Sequence, residues 1–230
     1  MITVKGFPFG NDSGDTRVSV RSMTTKTLCA THNSQLSEVD TEGSRFFTDF
    51  FKMHNGLLGG NLLGDRRWEY DGLLVERWML KCLCGIVASG QGGIDEKRVG
   101  KANPPGRLLN VVFGDESLLW PLGLYVNSPV GETYIPGKEL RLTPYFHEED
   151  AGYPAYGLQV EYYRFMFTLC LADPSGAHAD VLPQGALYRP NYFNFTLRPD
   201  GHRVEMAMHW PEPRTGNGFV YDVKAGRPAG

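Results

Sequence analysis

The side chains best placed to do chemistry lie in the string TKTLCATHNSQLSEVD, residues 25–40. Cys29 and His32 are separated by two residues, a ligand spacing of zinc knuckles, and thiolate and imidazole are donors that zinc prefers. Asn33 follows the histidine directly, and Asp40 closes the string. A plainer reading is also open, in which His32 and Asn33 make backbone hydrogen bonds in a turn ahead of a helix. A second half-site would have to come from Cys82 and Cys84 or from His54. One residue between two cysteines is an unusual zinc spacing, and on a helix it turns the thiols about 200° apart. His147-Glu148-Glu149-Asp150 offers ligands to a hard cation without the fixed spacing of a calcium loop. Gly56, Gly59 and Gly60 are followed by no Lys-Ser/Thr pair, and none of Ser34, Ser37 or Ser89 stands in a Gly-x-Ser-x-Gly elbow, so phosphate-loop and serine-hydrolase chemistry are unsupported.

The string resembles the distal part of zinc-associated HNH endonuclease-like proteins. In those a cysteine-containing knuckle is followed by a histidine or cysteine, an asparagine, and an aspartate that opens a helix. The resemblance covers 16 of 230 residues. It implies Cys29 and His32 as zinc ligands, Asn33 as the residue holding the turn, and Asp40 as the start of the packing helix. The segment DGLLVERWMLKCLCGIVASG, residues 71–90, is similar to the buried helix that follows such a knuckle. Its Glu76, Arg77 and Lys81 fall on one side, where they face either a site or, as charges on one side of a helix usually do, solvent. A nuclease of that kind also needs an upstream cysteine pair and an upstream histidine as general base, and no Cys or His precedes Cys29. The expectation is therefore a non-catalytic or degenerate relative, with zinc as its cofactor, acting beside nucleic acid in a bacterial or phage setting.

Regular elements must position these residues. Val18, Val20, Thr24, Thr25 and Thr27 read as a leader of short extended pieces ending at Cys29. Phe46, Phe47, Phe50 and Phe51 recur at helical spacing within Ser37 to Met53, with Asp40 or Thr41 as N-cap and a Gly-rich break after it. Asp71 to Ser89 carries so wide an apolar arc, with Leu74, Trp78, Cys82 and Val87 in it, that a mostly buried helix follows. After Pro129 the period becomes two. Glu139 to Tyr145 alternates, Leu158 to Leu171 is one long Tyr/Phe-rich run, and Tyr192 to Trp210 reads as a hairpin turning at Pro199-Asp200-Gly201. The layout is α+β: a helix-rich part, 1–128, packed on an antiparallel sheet or sandwich, 129–230, in one domain with a shared core.

Composition narrows the function classes. The formal net charge is −3, with 14 basic and 14 acidic residues up to Ser128 and 9 and 12 after it, so no global positive field exists to hold a polyanion. The longest apolar run, Trp78 to Ala88, is about half of the roughly 20 residues a bilayer span needs. The N-terminus lacks a signal-peptide pattern, and four unevenly placed cysteines do not read as a disulfide framework, so reduced thiols and a cytoplasmic location are expected. The aromatic second half supports an alternative from another class. Tyr145, Tyr153, Tyr156, Tyr162, Tyr163, Tyr188, Tyr192 and Trp210 could make a sheet face that recognises a protein or glycan, although sheet cores are aromatic in their own right. Neither reading requires an enzyme.

Overall fold

The computed structural model describes residues 2–5, 15–18, 29–59, 64–90, 93–94, 97–98, 100–128, 140–147, 153–162, 165–174, 182, 184–198, 201–211 and 217–224. The chain is α+β, as its sequence indicates. Its elements run β1 (Ile2–Lys5), β2 (Asp15–Val18), α1 (Ala30–Gln35), α2 (Ser37–Gly59), β3 (Arg66–Asp71), α3 (Gly72–Ser89), β4 (Gly93–Ile94), β5 (Lys97–Arg98), α4 (Gly106–Phe113) and β6 (Gly123–Asn127). There follow β7 (Arg141–Phe146), β8 (Ala155–Tyr162), β9 (Phe165–Cys170), β10 (Leu187–Tyr188), β11 (Tyr192–Arg198), β12 (Arg203–His209) and β13 (Gly218–Lys224). Val20, Thr24, Thr25 and Thr27, Glu148 to Asp150, and Pro199 and Asp200 lie outside the described residues.

Two sheets organise the molecule: a seven-stranded one in the order β10-β6-β9-β8-β7-β1-β2, and a four-stranded one in the order β13-β11-β12-β3. The division at residue 128 does not hold for the strands. β6 lies inside the larger sheet between β10 and β9, and β3 forms an edge of the smaller sheet against β12. Nor are the sheets purely antiparallel, since β3 with β12, β11 with β13 and β1 with β7 run parallel.

The β11–β12 hairpin matches its sequence pattern, pairing Phe195 with Val204 and burying Phe193, Phe195, Val204, Met206 and Met208. Gly201 has φ of +72°, which side chains with a Cβ resist. Gly201→Val is expected to lower stability by about 1 kcal/mol or more, read from urea denaturation. An unchanged midpoint would place the strain of the turn elsewhere. The Leu158 to Leu171 run divides into β8 and β9, paired antiparallel with Tyr162 opposite Phe165.

The core lies where the helices meet both sheets. Phe46 and Phe50 of α2 are fully buried, and Phe50 packs against Phe165 and Phe167 of the large sheet and Phe193 and Phe195 of the small one, with ring centroids 5.1–6.2 Å apart. Phe51, part of the expected stripe, is instead 46% exposed, because it falls next to Phe50 rather than on its face. α2 also runs past Met53 into the Gly-rich stretch and ends within it at Gly59; one helical glycine costs only about 1 kcal/mol, which packing elsewhere outweighs. Neither Asp40 nor Thr41 caps it. α2 begins at Ser37, so Asp40 lies inside its first turn and its carboxylate accepts from Lys81 Nζ of α3.

A row of charges on α2 closes the exposed edge of β3, which would otherwise offer unpaired backbone groups to other chains. Glu42 Oε1 accepts from the Asp71 amide at 2.8 Å, and Arg45 Nη2 donates to the Glu69 carbonyl at 2.7 Å. Asp49 accepts from the Tyr70 hydroxyl at 3.2 Å, and burial is the main cause raising that phenol's pKa far above its ordinary value.

In α3 the buried line is Val75, Met79, Leu83 and Ile86 with Leu80 and Val87, while Leu74, Trp78 and Cys82 are half-buried. Trp78 lies over Gly43, where an added methyl would sit 2.2 Å from the indole Cγ. Alanine in place of a helical glycine ordinarily stabilises by about 1 kcal/mol. Here Gly43→Ala is expected to destabilise by about 1–3 kcal/mol through overpacking. A raised urea midpoint would show that the indole swings aside at no cost.

Candidate functional site

Cys29 is the N-cap of α1, with extended φ and ψ of −73° and 165°, and its carbonyl accepts the Asn33 amide at 2.9 Å. His32 and Asn33 therefore belong to a short helical turn ahead of α2, in which the Asn33 amide makes a backbone hydrogen bond. Residues three apart on a helix share a face, and Cys29 Sγ lies 3.3 Å from His32 Nδ1. Every residue of α1 is exposed.

The other wall of the site comes from the end of α4. Gly114, with φ of +97°, turns the chain so that the amides of Gly114, Asp115 and Glu116 all donate to the Asn110 carbonyl, a glycine C-cap. Asn110 Nδ2 also donates to Glu116 Oε1 at 2.9 Å. This turn sets the Phe113 ring 5.5 Å from the His32 ring and leaves an open cleft of about 450 Å³ lined by His32, Gln35, Phe113 and Asp115.

Zinc donors at about 2.3 Å for sulfur and 2.1 Å for nitrogen sit roughly 3.5 Å apart around a tetrahedral ion, so the Cys29–His32 separation fits two of its corners. Among the described residues no third His, Cys, Asp or Glu joins them in a metal-holding group. Cys82 and Cys84 do not supply the rest. Both lie on α3, where burial chiefly pushes their pKa values up, to about 12 and about 11, and holds them as thiols. Of the four residues singled out in the sequence, Cys29 and His32 come together, Asn33 lies in the same turn, and Asp40 is engaged by Lys81.

Glu76 departs furthest from expectation. It is 1% exposed instead of lying on a solvated side of α3. Arg189 donates to it from Nε at 3.0 Å and from Nη2 at 2.7 Å, and the Leu124 amide donates at 2.8 Å. Arg189 also donates to the Leu118 carbonyl and lies against the Tyr188 and Trp210 rings, in a backbone conformation with φ of +44°. Burial raises the pKa of Glu76, and the hydrogen bonds and charge of Arg189 oppose that rise. With its carboxylate oxygens met by the Leu124 amide of β6 and by Arg189, the residue after β10, Glu76 ties α3 to both and is held by structural partners. No local pattern around Glu76 or Arg189 signals it, because the partners are 113 residues apart.

Of the tyrosines and tryptophan singled out in the second half, Tyr162 and Trp210 are buried with the phenylalanines, Tyr145, Tyr153, Tyr156, Tyr188 and Tyr192 are half-buried, and Tyr163 lies outside the described residues. The outward face of the large sheet is closed at its centre as well, where Thr168, Cys170 and Tyr125 are buried. At one end a register shift in the β7–β8 ladder, a β-bulge, puts Phe146 opposite Ala155 and Tyr145 opposite Gly157, with Tyr156 the extra residue between. Tyr156 then stacks on Tyr145 with centroids 5.8 Å apart and lies 4.8 Å from the His147 ring, all three half-buried.

No protein-family model, curated protein or solved structure matches the chain. No helix among the described residues is long and apolar enough to cross a membrane.

Proposed function

We propose that this chain is a non-catalytic relative of zinc-associated HNH proteins that holds zinc through Cys29 and His32 and acts beside nucleic acid. The observation carrying this reading is the 3.3 Å approach of Cys29 Sγ to His32 Nδ1 on one exposed helical turn. It is supported by Asp40, the last residue of the 25–40 string, which pairs with Lys81 of the 71–90 segment that is similar to the buried helix after such a knuckle. The role of zinc here is to crosslink the start of α1, and Asn33 contributes the amide that closes its first turn.

The test combines zinc content with fluorescence anisotropy on single- and double-stranded oligonucleotides, before and after chelation. Zinc uptake lost in Cys29→Ser, with nucleic-acid binding that weakens on chelation, is the expected result; a metal-free protein with unchanged binding would overturn it. Incubation with plasmid DNA and Mg²⁺, Mn²⁺ or Zn²⁺ is expected to give no cutting, as the non-catalytic reading requires. Metal-dependent nicking that disappears in His32→Ala would remove the non-catalytic part of the reading.

A second reading, recognition of a protein or glycan, is favoured by the stacked Tyr145 and Tyr156 rings with the His147 ring tilted beside them, since such rings bind apolar sugar faces and side chains. Glycan-array binding that Tyr156→Ala abolishes would support it.

A further inference from the structure

We propose that the cleft between α1 and the end of α4 binds a guanine nucleotide, with the base on Asp115 and Phe113 and the phosphate on Arg77. The inference deepens the nucleic-acid reading above and rests on it for the source of the nucleotide. It uses neither Cys29 nor a metal. The cleft, at about 450 Å³, has the size that small ligands occupy, and the groups around it are of three kinds.

The first is a carboxylate. Glu116 accepts from Asn110 Nδ2, whereas the Asp115 side chain makes no hydrogen bond or ion pair among the described residues. A carboxylate is best met by two parallel N–H groups, and of the common bases guanine alone carries two side by side, N1–H and N2–H. The second is a ring. Phe113 is half-buried and fixed beside His32, and a ring so held is a support on which a base stacks. Gln35 and His32, on the facing wall, carry N–H groups that suit the O6 and N7 acceptors of guanine. The third is a guanidinium. Of the charged residues Glu76, Arg77 and Lys81 on α3, Glu76 is taken by Arg189 and Lys81 by Asp40. Arg77 is left over, with no hydrogen bond or ion pair among the described residues. It lies against Gly114, next in sequence to Asp115, where an added Cβ would sit 2.9 Å from its Nη1. The negative end of α4 favours a cation there, and the donors of a guanidinium match phosphate oxygens. Base edge, base face and phosphate thus each find a partner around one turn.

The experiment titrates the full isotope-labelled chain with GMP by NMR, with AMP, CMP, UMP and guanosine alongside. The expected result is saturable shifts in α1, at the end of α4 and at Arg77. The other three nucleotides lack the paired donors and should bind at least about tenfold more weakly. Guanosine should bind more weakly than GMP to the parent, and equally with it to Arg77→Ala. Asp115→Asn should lose GMP and gain xanthosine monophosphate, whose added carbonyl accepts from the new amide; a merely structural role predicts no such exchange. An oligothymidine strand with and without one guanine, followed by anisotropy, distinguishes a strand from a free nucleotide as the source. GMP binding with no oligonucleotide binding would leave the site standing and overturn the nucleic-acid reading. Oligonucleotide binding indifferent to guanine and to Asp115→Asn would overturn the site and leave that reading. An absence of shifts at millimolar GMP would overturn the site outright.

Discussion

Replacing Arg189 with leucine is expected to destabilise the protein by about 3–5 kcal/mol at neutral pH, the usual cost of stranding one member of a buried ion pair. The variant leaves Glu76 with the Leu124 amide as its remaining donor in that set and removes the hydrogen bond to the Leu118 carbonyl. The loss has a predictable pH dependence. Burial already raises the Glu76 pKa in the folded protein, and the guanidinium opposes that rise, so removing it raises the value further. A carboxyl whose folded value lies above its unfolded one of about 4.3 favours folding below that pH and loses the contribution as pH climbs through the folded value. The gap between variant and parent should therefore be smallest near pH 4 and widen towards pH 7.5, as measured by urea denaturation at each pH. An equal gap at both ends would mean that Glu76 keeps the same protonation state in both proteins across this range. Changing Glu76 to leucine as well should restore part of the loss, since two apolar residues leave no stranded charge.

Phe50→Ala is expected to cost a similar 3–5 kcal/mol, because a fully buried ring leaves a cavity that its neighbours cannot fill. Its neighbours come from both sheets, so loosening should be felt in each. The same geometry predicts that a fragment of residues 1–128 will not fold. β3 pairs with β12, and β6 with β9 and β10, all of them beyond the cut. Such a fragment keeps α2 and α3 with their apolar faces uncovered and should stay molten, with helical far-UV but no near-UV circular dichroism. A cooperative melt of the fragment would show that the helices have a core of their own.

What the amino-acid sequence determines by itself here is local. The alternation of Phe193, Phe195, Val204 and Met206 with Gly201 between them specifies a hairpin, since period-two burial and a left-handed turn residue act within about a dozen residues. The apolar arc of α3 is legible for the same reason, whereas the short helix that brings Cys29 to His32 is not, because the extended pattern before Cys29 gives no sign of it. Asp40 does not cap its helix because a carboxylate near a helix start can serve either the free amides there or a distant cation, and Lys81, 41 residues away, takes it. The burial of Glu76 was invisible because a charge on a helix goes inside only where a partner meets it, and Arg189 arrives from the far end of the chain. Tertiary structure alone also decided which strands share a sheet. Pairing depends on backbone groups that every residue carries alike, so nothing in RRWEYD states that β3 will lie beside β12.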